Sequence, residues 1–120
     1  MDNSSLGKLG ESYACNFLMA NGYHIIRKNF RFGRFSEIDI IALKSNIISF
    51  IEVKTRTEFE LKEHCKSISK FKILKIKRGV AKFLNEKPHY YNYEWRLKVI
   101  MVLVNPYTKK PKVVFYDYLN

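Results

Sequence analysis

Two short apolar segments in the first half of the chain carry charged residues at spacings that suit metal chemistry. Residues 37–41 are Glu-Ile-Asp-Ile-Ile, and residues 50–54 are Phe-Ile-Glu-Val-Lys. If both segments are strands, alternation puts Glu52 and Lys54 on one face of the second strand. Carboxylates such as Asp39 and Glu52 are the oxygen ligands that hard divalent cations prefer. The two segments therefore contain the residue types of a metal site with an adjacent ammonium.

The turn between the segments predicts how the two strands pair. The dipeptide Ser-Asn at residues 45–46 is typical of a two-residue β-hairpin turn, which makes Lys44 the partner of Ile47. Counting back from the turn, Asp39 lies opposite Glu52. Directly opposed residues share one face of an antiparallel pair, so the two carboxylates are expected side by side.

Such a carboxylate pair has two interpretations. Like charges held close together destabilise a sheet unless one is protonated or a cation lies between them. Mg2+ is bound by one or two carboxylates, waters and phosphate oxygens, so the pair predicts half of a metal site that a phosphodiester completes. The rival interpretation is a solvated sheet face, on which Glu37 and Lys54 form a cross-strand ion pair. Apolar residues on both faces of the two segments favour burial of a central strand pair.

The composition predicts one basic domain over residues 1–120. Hydrophobic residues make up 47% of the chain, and 22 Lys and Arg against 11 Asp and Glu give a formal net charge of +11. This excess favours a polyanion, with nucleic acid the first candidate and an anionic membrane surface the second. No apolar run could span a bilayer and no signal segment is visible, so a cytoplasmic location is expected. Cys15 and Cys65 have no metal or redox spacing and are expected to be free thiols.

Hydrophobic periodicity predicts an α/β chain with the order helix, three strands, helix, two strands. Each helix has an apolar stripe at spacings of three and four residues, and the strands alternate or are apolar throughout. The predicted helices cover about residues 5–21 and 67–86, and the predicted strands cover about 23–35, 36–44, 47–55, 93–105 and 113–119.

Basic side chains are interleaved with aromatic ones before the hairpin and are frequent in the second helix. Arg31 and Arg34 alternate with three phenylalanines between residues 30 and 35. This pattern suits phosphate contacts combined with base stacking. It fits an edge strand with one solvent-exposed face equally well. If the helix lies beside a metal site, its lysines would contact the phosphate backbone of a nucleic acid. The alternative is that these lysines are simply solvated. The predicted nucleic-acid contacts are Arg31, Arg34, Arg56, Lys70 and Lys72.

The element order, with an Asp in the second strand and Glu-Val-Lys in the third, resembles the core of the PD-(D/E)xK nucleases, the restriction-endonuclease-like superfamily. The chain is similar in particular to the uncharacterised bacterial YraN family over nearly its whole length. The resemblance implies a restriction-endonuclease-like core of order α-β-β-β-α-β-β, with a central mixed sheet flanked by helices. It rests on residues 7–14 (Gly-Lys-Leu-Gly-Glu-Ser-Tyr-Ala), 21–23 (Asn-Gly-Tyr), 37–41, and 50–56 (Phe-Ile-Glu-Val-Lys-Thr-Arg).

The resemblance also implies roles for the charged residues. The YraN family is similar to archaeal Holliday junction resolvases, which combine a helix-borne Glu with Asp and Glu-x-Lys on strands. By that likeness, Asp39 and Glu52 would ligate Mg2+ or Mn2+. Lys54 would orient the attacking water or stabilise charge on the phosphate. Glu11 would hold a second metal or a metal-bound water, while Glu37 is typical of the YraN pattern and has no assigned role.

These roles imply a metal-dependent endonuclease that hydrolyses phosphodiester bonds in DNA, including branched or single-stranded DNA. The alternatives are a non-catalytic nucleic-acid-binding or accessory protein on the same fold and a basic protein–protein adaptor. The oligomeric state is open, with a homodimer as one arrangement. Residues 96–98 are Arg-Leu-Lys where family members tend to have Arg-Phe-Asp, so no role of that acid carries over to this chain.

Overall fold

The computed structural model describes residues 3–57, 70–105, 107–108 and 110–118. Its element order confirms the prediction, and a short 3-10 turn precedes the fourth strand. The predicted start of the second helix near residue 67, the end of the last strand at 119, and Cys65 lie outside the described residues. The helices are α1 (Asn3–Ala20) and α2 (Lys70–Glu86), and the strands are β1 (His24–Gly33), β2 (Ser36–Lys44), β3 (Ile47–Thr57), β4 (Glu94–Val104) and β5 (Pro111–Asp117).

The strands form one mixed sheet in the order β1-β2-β3-β4-β5. The first three strands are an antiparallel meander, β3 and β4 are parallel, and β5 is antiparallel to β4. A parallel pair requires a crossover connection, and the chain between β3 and β4 contains α2. The predicted α/β class and mixed sheet are confirmed, with β3 at the centre of the sheet.

The hairpin between β2 and β3 has the predicted register. Its two turn residues have positive φ values of 51° and 63°, which a type I′ turn requires at both central positions. Lys44 pairs with Ile47, and the ladder continues to the pair of Ile40 with Ile51. The two-residue turn on which the site prediction depends is therefore confirmed.

Both faces of the sheet are covered, which explains why its central strands are apolar on both sides. None of the helices among the described residues has the length and apolarity that crossing a membrane demands. Cys15 has a free thiol. The core beneath α1 includes Ala14, Leu18, Ile40, Ile51 and Ile100, and the core beneath α2 includes Phe30, Ile41, Phe50, Val80 and Phe83.

Each helix approaches the sheet most closely at a glycine. A Cβ atom on Gly10 of α1 would overlap the Thr55 side chain of β3, with its Cβ and Cγ2 atoms both 2.8 Å away. A Cβ atom on Gly79 of α2 would lie 2.6 Å from the Phe32 ring. Gly10 immediately precedes Glu11, so the glycine sets the depth at which this carboxylate meets the sheet.

Replacing Gly10 with alanine is expected to lower the free energy of unfolding by about 1–3 kcal/mol, because the added methyl forces α1 away from β3. Gly7 is the matched control: it is on the same helix, and no described atom outside its own stretch of helix lies within 4 Å of its Cβ position. Gly7→Ala should raise stability by about 0.5–1 kcal/mol through helix propensity. Urea unfolding followed by circular dichroism measures both values, and equal effects of the two substitutions would contradict the close contact.

Candidate active site

Asp39 lies where β2 and β3 part. The ladder between these strands ends at the pair of Ile40 with Ile51. Beyond that pair, the backbone N–H of Val53 donates a hydrogen bond of 2.7 Å to Asp39 Oδ2. The carboxylate thus serves as the acceptor for a strand N–H, and its position is set by the backbone between Glu52 and Lys54.

Glu11 reaches the same place from α1. Glu11 and Asp39 line one cavity, together with Val53 and the tightly packed Thr55. Asn29 Nδ2 donates a hydrogen bond of 2.9 Å to Glu11 Oε1. Asn29 has a positive φ of 54°, which asparagine adopts more readily than most residues. The structure therefore brings two of the predicted site residues into one cavity.

Glu52 faces a second cavity of about 410 Å3 next to α2. Lys72 Nζ lies 3.0 Å from Glu52 Oε1 and donates a hydrogen bond to it. Glu52 Oε2 and the Tyr118 hydroxyl are buried, and neither has a hydrogen-bond partner among the described residues. Burial and the nearby Glu52 carboxylate raise the pKa of Tyr118. A buried acceptor left unpaired costs about 1–3 kcal/mol, so this oxygen favours a bound cation or donor.

The acids repel one another across the gap between the strands. Burial raises the pKa of Asp39 to about 6, against the lowering effect of the hydrogen bond from Val53. The nearby carboxylates of Glu52, Glu11 and Glu37 contribute to this rise. Burial raises the pKa of Glu11 as well, and the charge of Glu37 is the second cause. A cation at this position would relieve the repulsion.

The four acids do not open into one common space. Glu11 and Asp39 line the first cavity, whereas Glu37 and Glu52 line the second. In the part of the chain that the structure describes, no group of three or more His, Cys, Asp or Glu side chains is placed to hold a metal together. Asp39 and Glu52 were expected side by side on one face of the sheet. In the structure their side chains line different cavities, because Asp39 turns into the gap toward the Val53 N–H. Their service as joint metal ligands stays a prediction.

Glu37 is paired with β1, not with β3. Arg31 lies opposite Glu37 in the β1/β2 ladder, and Arg31 Nη2 is 3.8 Å from Glu37 Oε2. Lys54 lies opposite Met101 in the parallel ladder and forms no ion pair with another described residue. The cross-strand pair of Glu37 with Lys54 is therefore absent among the described residues.

Two of the predicted nucleic-acid contacts lie on the exposed end of the β1/β2 hairpin. The Arg31 side chain is 71% exposed despite its contact with Glu37. Arg34 is also exposed, and its guanidinium lies 5.4 Å from the centre of the Phe35 ring. These two cations can reach a phosphate in solvent.

The other predicted contacts lie closer to the acids or cannot be placed. Arg56 is half-buried and lines the cavity that holds Glu11 and Asp39. Lys72 was predicted to bind phosphate and instead neutralises Glu52. Lys70 begins α2, and its side chain lies outside the described part of the chain.

Sequence reasoning missed Asn29 and Tyr118. Asparagine is depleted in strands, so Asn29 within a strand pattern was the one available signal. Tyr118 gave no signal, since its contact with Glu52 depends on how the end of β5 meets the centre of the sheet.

Fold and site together define an α/β protein with a mixed sheet and two carboxylate-lined cavities near the open end of its central hairpin. The sequence model of the uncharacterised protein family UPF0102 matches residues 10–102, a stretch that contains Glu11, Asp39, Glu52 and Lys54. The chain belongs to this family, which is also called YraN, and the resemblance to the YraN family seen in the sequence is confirmed.

Relatives in several bacteria agree with this assignment. A UPF0102 protein of Clostridium novyi is 36% identical over 96% of this chain and 94% of its own length. One of Dictyoglomus turgidum is 33% identical over 99% of this chain and 97% of its own length. One of Helicobacter hepaticus is 40% identical over 70% of this chain and 73% of its own length.

Asp39 should make the metal-free protein less stable as pH rises from about 4 to about 6. The folded carboxyl keeps its proton up to about pH 6, whereas its ordinary value is 3.8. Its stabilising contribution is complete below pH 3.8 and is lost as pH rises through 6. Asp39→Asn keeps an acceptor for the Val53 N–H and removes the titration. Between pH 4 and pH 7, its stability relative to wild type should rise by up to about 3 kcal/mol.

Glu94→Gln is the matched control, since Glu94 is exposed and its carboxylate contacts only the side chain of Arg96 at 3.1 Å among described residues. Its stability relative to wild type should change by less than about 1 kcal/mol over the same range. Urea unfolding in EDTA at several pH values gives the comparison. An Asp39→Asn variant that differs from wild type by the same amount at pH 4 and pH 7 would refute the raised pKa.

Proposed function

We propose that this protein is a metal-dependent endonuclease that hydrolyses phosphodiester bonds in DNA. The observation that carries the proposal is the placement of the half-buried Asp39, held by the Val53 N–H in a cavity that it shares with Glu11, in a chain of net charge +11. A cation beside these acids would relieve their repulsion. A divalent ion that also binds a phosphate oxygen would serve that purpose and would explain the surrounding positive charge.

The donors fit Mg2+ or Mn2+. All of them are carboxylate oxygens, which are hard ligands. Glu52 Oε2 is buried beside the Tyr118 hydroxyl, which is its candidate donor when no ion is bound, and the hydrogen bond from Val53 engages only Oδ2 of Asp39. Asp39 and Glu52 line separate cavities in this structure, so their carboxylates would have to turn toward each other to hold one ion, and Glu11 would hold a second ion or an ordered water. When bound, such an ion lowers the pKa of a water and neutralises charge on the phosphate.

The protein's own groups would then position the substrate. Lys54 is two residues after Glu52 on β3, so its ammonium is on the same face and would stabilise charge that develops on the phosphate. The Val53 N–H holds the Asp39 carboxylate in place. Arg56, at the cavity shared by Glu11 and Asp39, supplies a further cation for the DNA backbone.

A non-catalytic nucleic-acid-binding protein is the second candidate function. The ion pair of Lys72 with Glu52 favours it, since an ammonium there neutralises one proposed ligand without a metal. This candidate predicts DNA binding that weakens with salt, persists in EDTA and leads to no hydrolysis. A basic protein–protein adaptor would bind no DNA even at low salt.

Cleavage of supercoiled, flapped and four-way DNA tests the enzyme directly. Wild type should cut at least one of these substrates with Mg2+ or Mn2+ and none in EDTA. Asp39→Asn and Glu52→Gln should each lower the rate by about 100-fold or more, because each removes a charged oxygen from the proposed metal site. Glu94→Gln, on the exposed part of β4, should cut as wild type does. The enzyme proposal fails if no substrate is cut or if both site variants retain full activity.

Lys72→Met should strengthen Mn2+ binding by about two- to fivefold, because it removes the ammonium that competes with a metal for Glu52. Lys75→Met is the control: Lys75 lines the same cavity and forms no ion pair with Glu52. Titration calorimetry of both variants gives the affinities. Competition at Glu52 is ruled out if the two substitutions change Mn2+ affinity equally.

A further inference from the structure

The cavity next to Glu52 has aromatic walls. Phe32, Phe35 and Phe71 line it, and the last two are 84% and 76% exposed. Apolar rings exposed beside a cavity typically mark a surface that binds a partner. The volume of about 410 Å3 is within the range of about 300–1,000 Å3 for pockets that take small organic groups.

Cations surround the aromatic rings. Lys72 and Lys75 line the same cavity, and the Arg34 guanidinium lies over the ring of Phe35 at 5.4 Å. Glu52 forms part of the wall, so the cavity is continuous with one of the proposed metal ligands. An occupant that complements these walls is flat and apolar in one part and anionic in another. A nucleotide has both parts: a base that stacks on aromatic rings and a phosphate that pairs with lysine.

We propose that this cavity accepts one unstacked base of a single-stranded nucleic acid, which stacks on Phe35 or Phe71 while Lys75 contacts the adjoining phosphate. A base inside a duplex is stacked on both sides and cannot enter without flipping out, which costs a few kcal/mol. The cavity therefore selects single strands, flaps and unpaired ends over intact duplex. Base binding requires no hydrolysis, so this selection of single strands is independent of the proposed function. The inference rests on the proposed function only where it concerns which phosphodiester bond is cut.

Charge complementarity distinguishes this occupant from an apolar one. A neutral apolar segment laid on Phe35 and Phe71 would remove water from Lys75 without supplying a partner for its ammonium. A nucleotide supplies a phosphate for the lysine and leaves the carboxylates to a metal. Single-stranded DNA and RNA offer the same base and phosphate, so both are compared in the experiment.

The test measures binding of the whole protein to labelled oligonucleotides in EDTA, where hydrolysis does not interfere. A single strand of about 12 nucleotides, which falls within the usual site size for such proteins, carries a fluorescent adenine analogue that is quenched by stacking. Wild type should bind this strand, as DNA or RNA, more tightly than the matching duplex and should quench the analogue. Phe35→Ala and Phe71→Ala should each weaken single-strand binding about tenfold and leave duplex binding unchanged.

Two controls separate stacking from general effects. Phe35→Trp should retain single-strand binding, because a larger ring still stacks. Tyr107→Ala removes an 85% exposed ring that does not line the cavity, and it should bind as wild type does. Circular dichroism melting checks that each variant is folded.

The outcomes separate this inference from the proposed function. The base-binding cavity is refuted if both alanine variants bind single strands as tightly as Tyr107→Ala, or if they lose duplex binding equally. It is also refuted if the protein binds anionic vesicles or a neutral apolar peptide and no single strand. Cleavage that persists after either refutation leaves the endonuclease intact. Quenching by a protein that cuts no substrate refutes the endonuclease and supports the cavity, and Asp39→Asn should retain quenching in either case.

Discussion

The hydrogen bond from the Val53 N–H to Asp39 is the interaction on which the rest of the site depends. It replaces a ladder contact at the point where β2 leaves β3, so the sheet opens without leaving that donor unpaired. The opening gives Asp39 a position in the gap between the strands, and burial there makes its negative charge unfavourable. An acid that the backbone holds in place and that is costly to ionise suits cation binding.

The two helices complete the site because the topology places one on each face of the opened hairpin. Close packing of Gly10 on β3 brings Glu11 toward Asp39. The parallel pairing of β3 with β4 requires a crossover, and its helix α2 carries Lys72 to Glu52. Asp39 thus has the Glu11 carboxylate of α1 beside it, whereas Glu52 has the Lys72 ammonium of α2 beside it. The side of the sheet under α1 therefore carries a second acid, and the side under α2 carries a base.

Family membership names no activity for this chain, so the function is argued from the site. The half-buried carboxylates and the net positive charge support the proposed role on nucleic acid, and the aromatic cavity beside Glu52 is the surface proposed for bases. The ion pair of Lys72 with Glu52 favours a purely binding role, and it is also compatible with an enzyme in which a metal ion replaces Lys72 at Glu52. The two candidate functions therefore differ in whether Glu52 keeps Lys72 as its partner or binds a metal.

The family resemblance implied the mixed sheet, whereas the sequence by itself determined the element order and the register of the hairpin near its turn. Those features follow from local rules: the Ser-Asn turn dictates the pairing, and periodicity assigns each segment its element. The sequence could not determine where the ladder ends, so alternation placed Asp39 and Glu52 on one face, whereas the tertiary structure turns Asp39 into the gap. Lys72, Asn29 and Tyr118 meet the acids only after distant segments pack together. Such contacts depend on helix depth and strand curvature, which no spacing along the chain encodes.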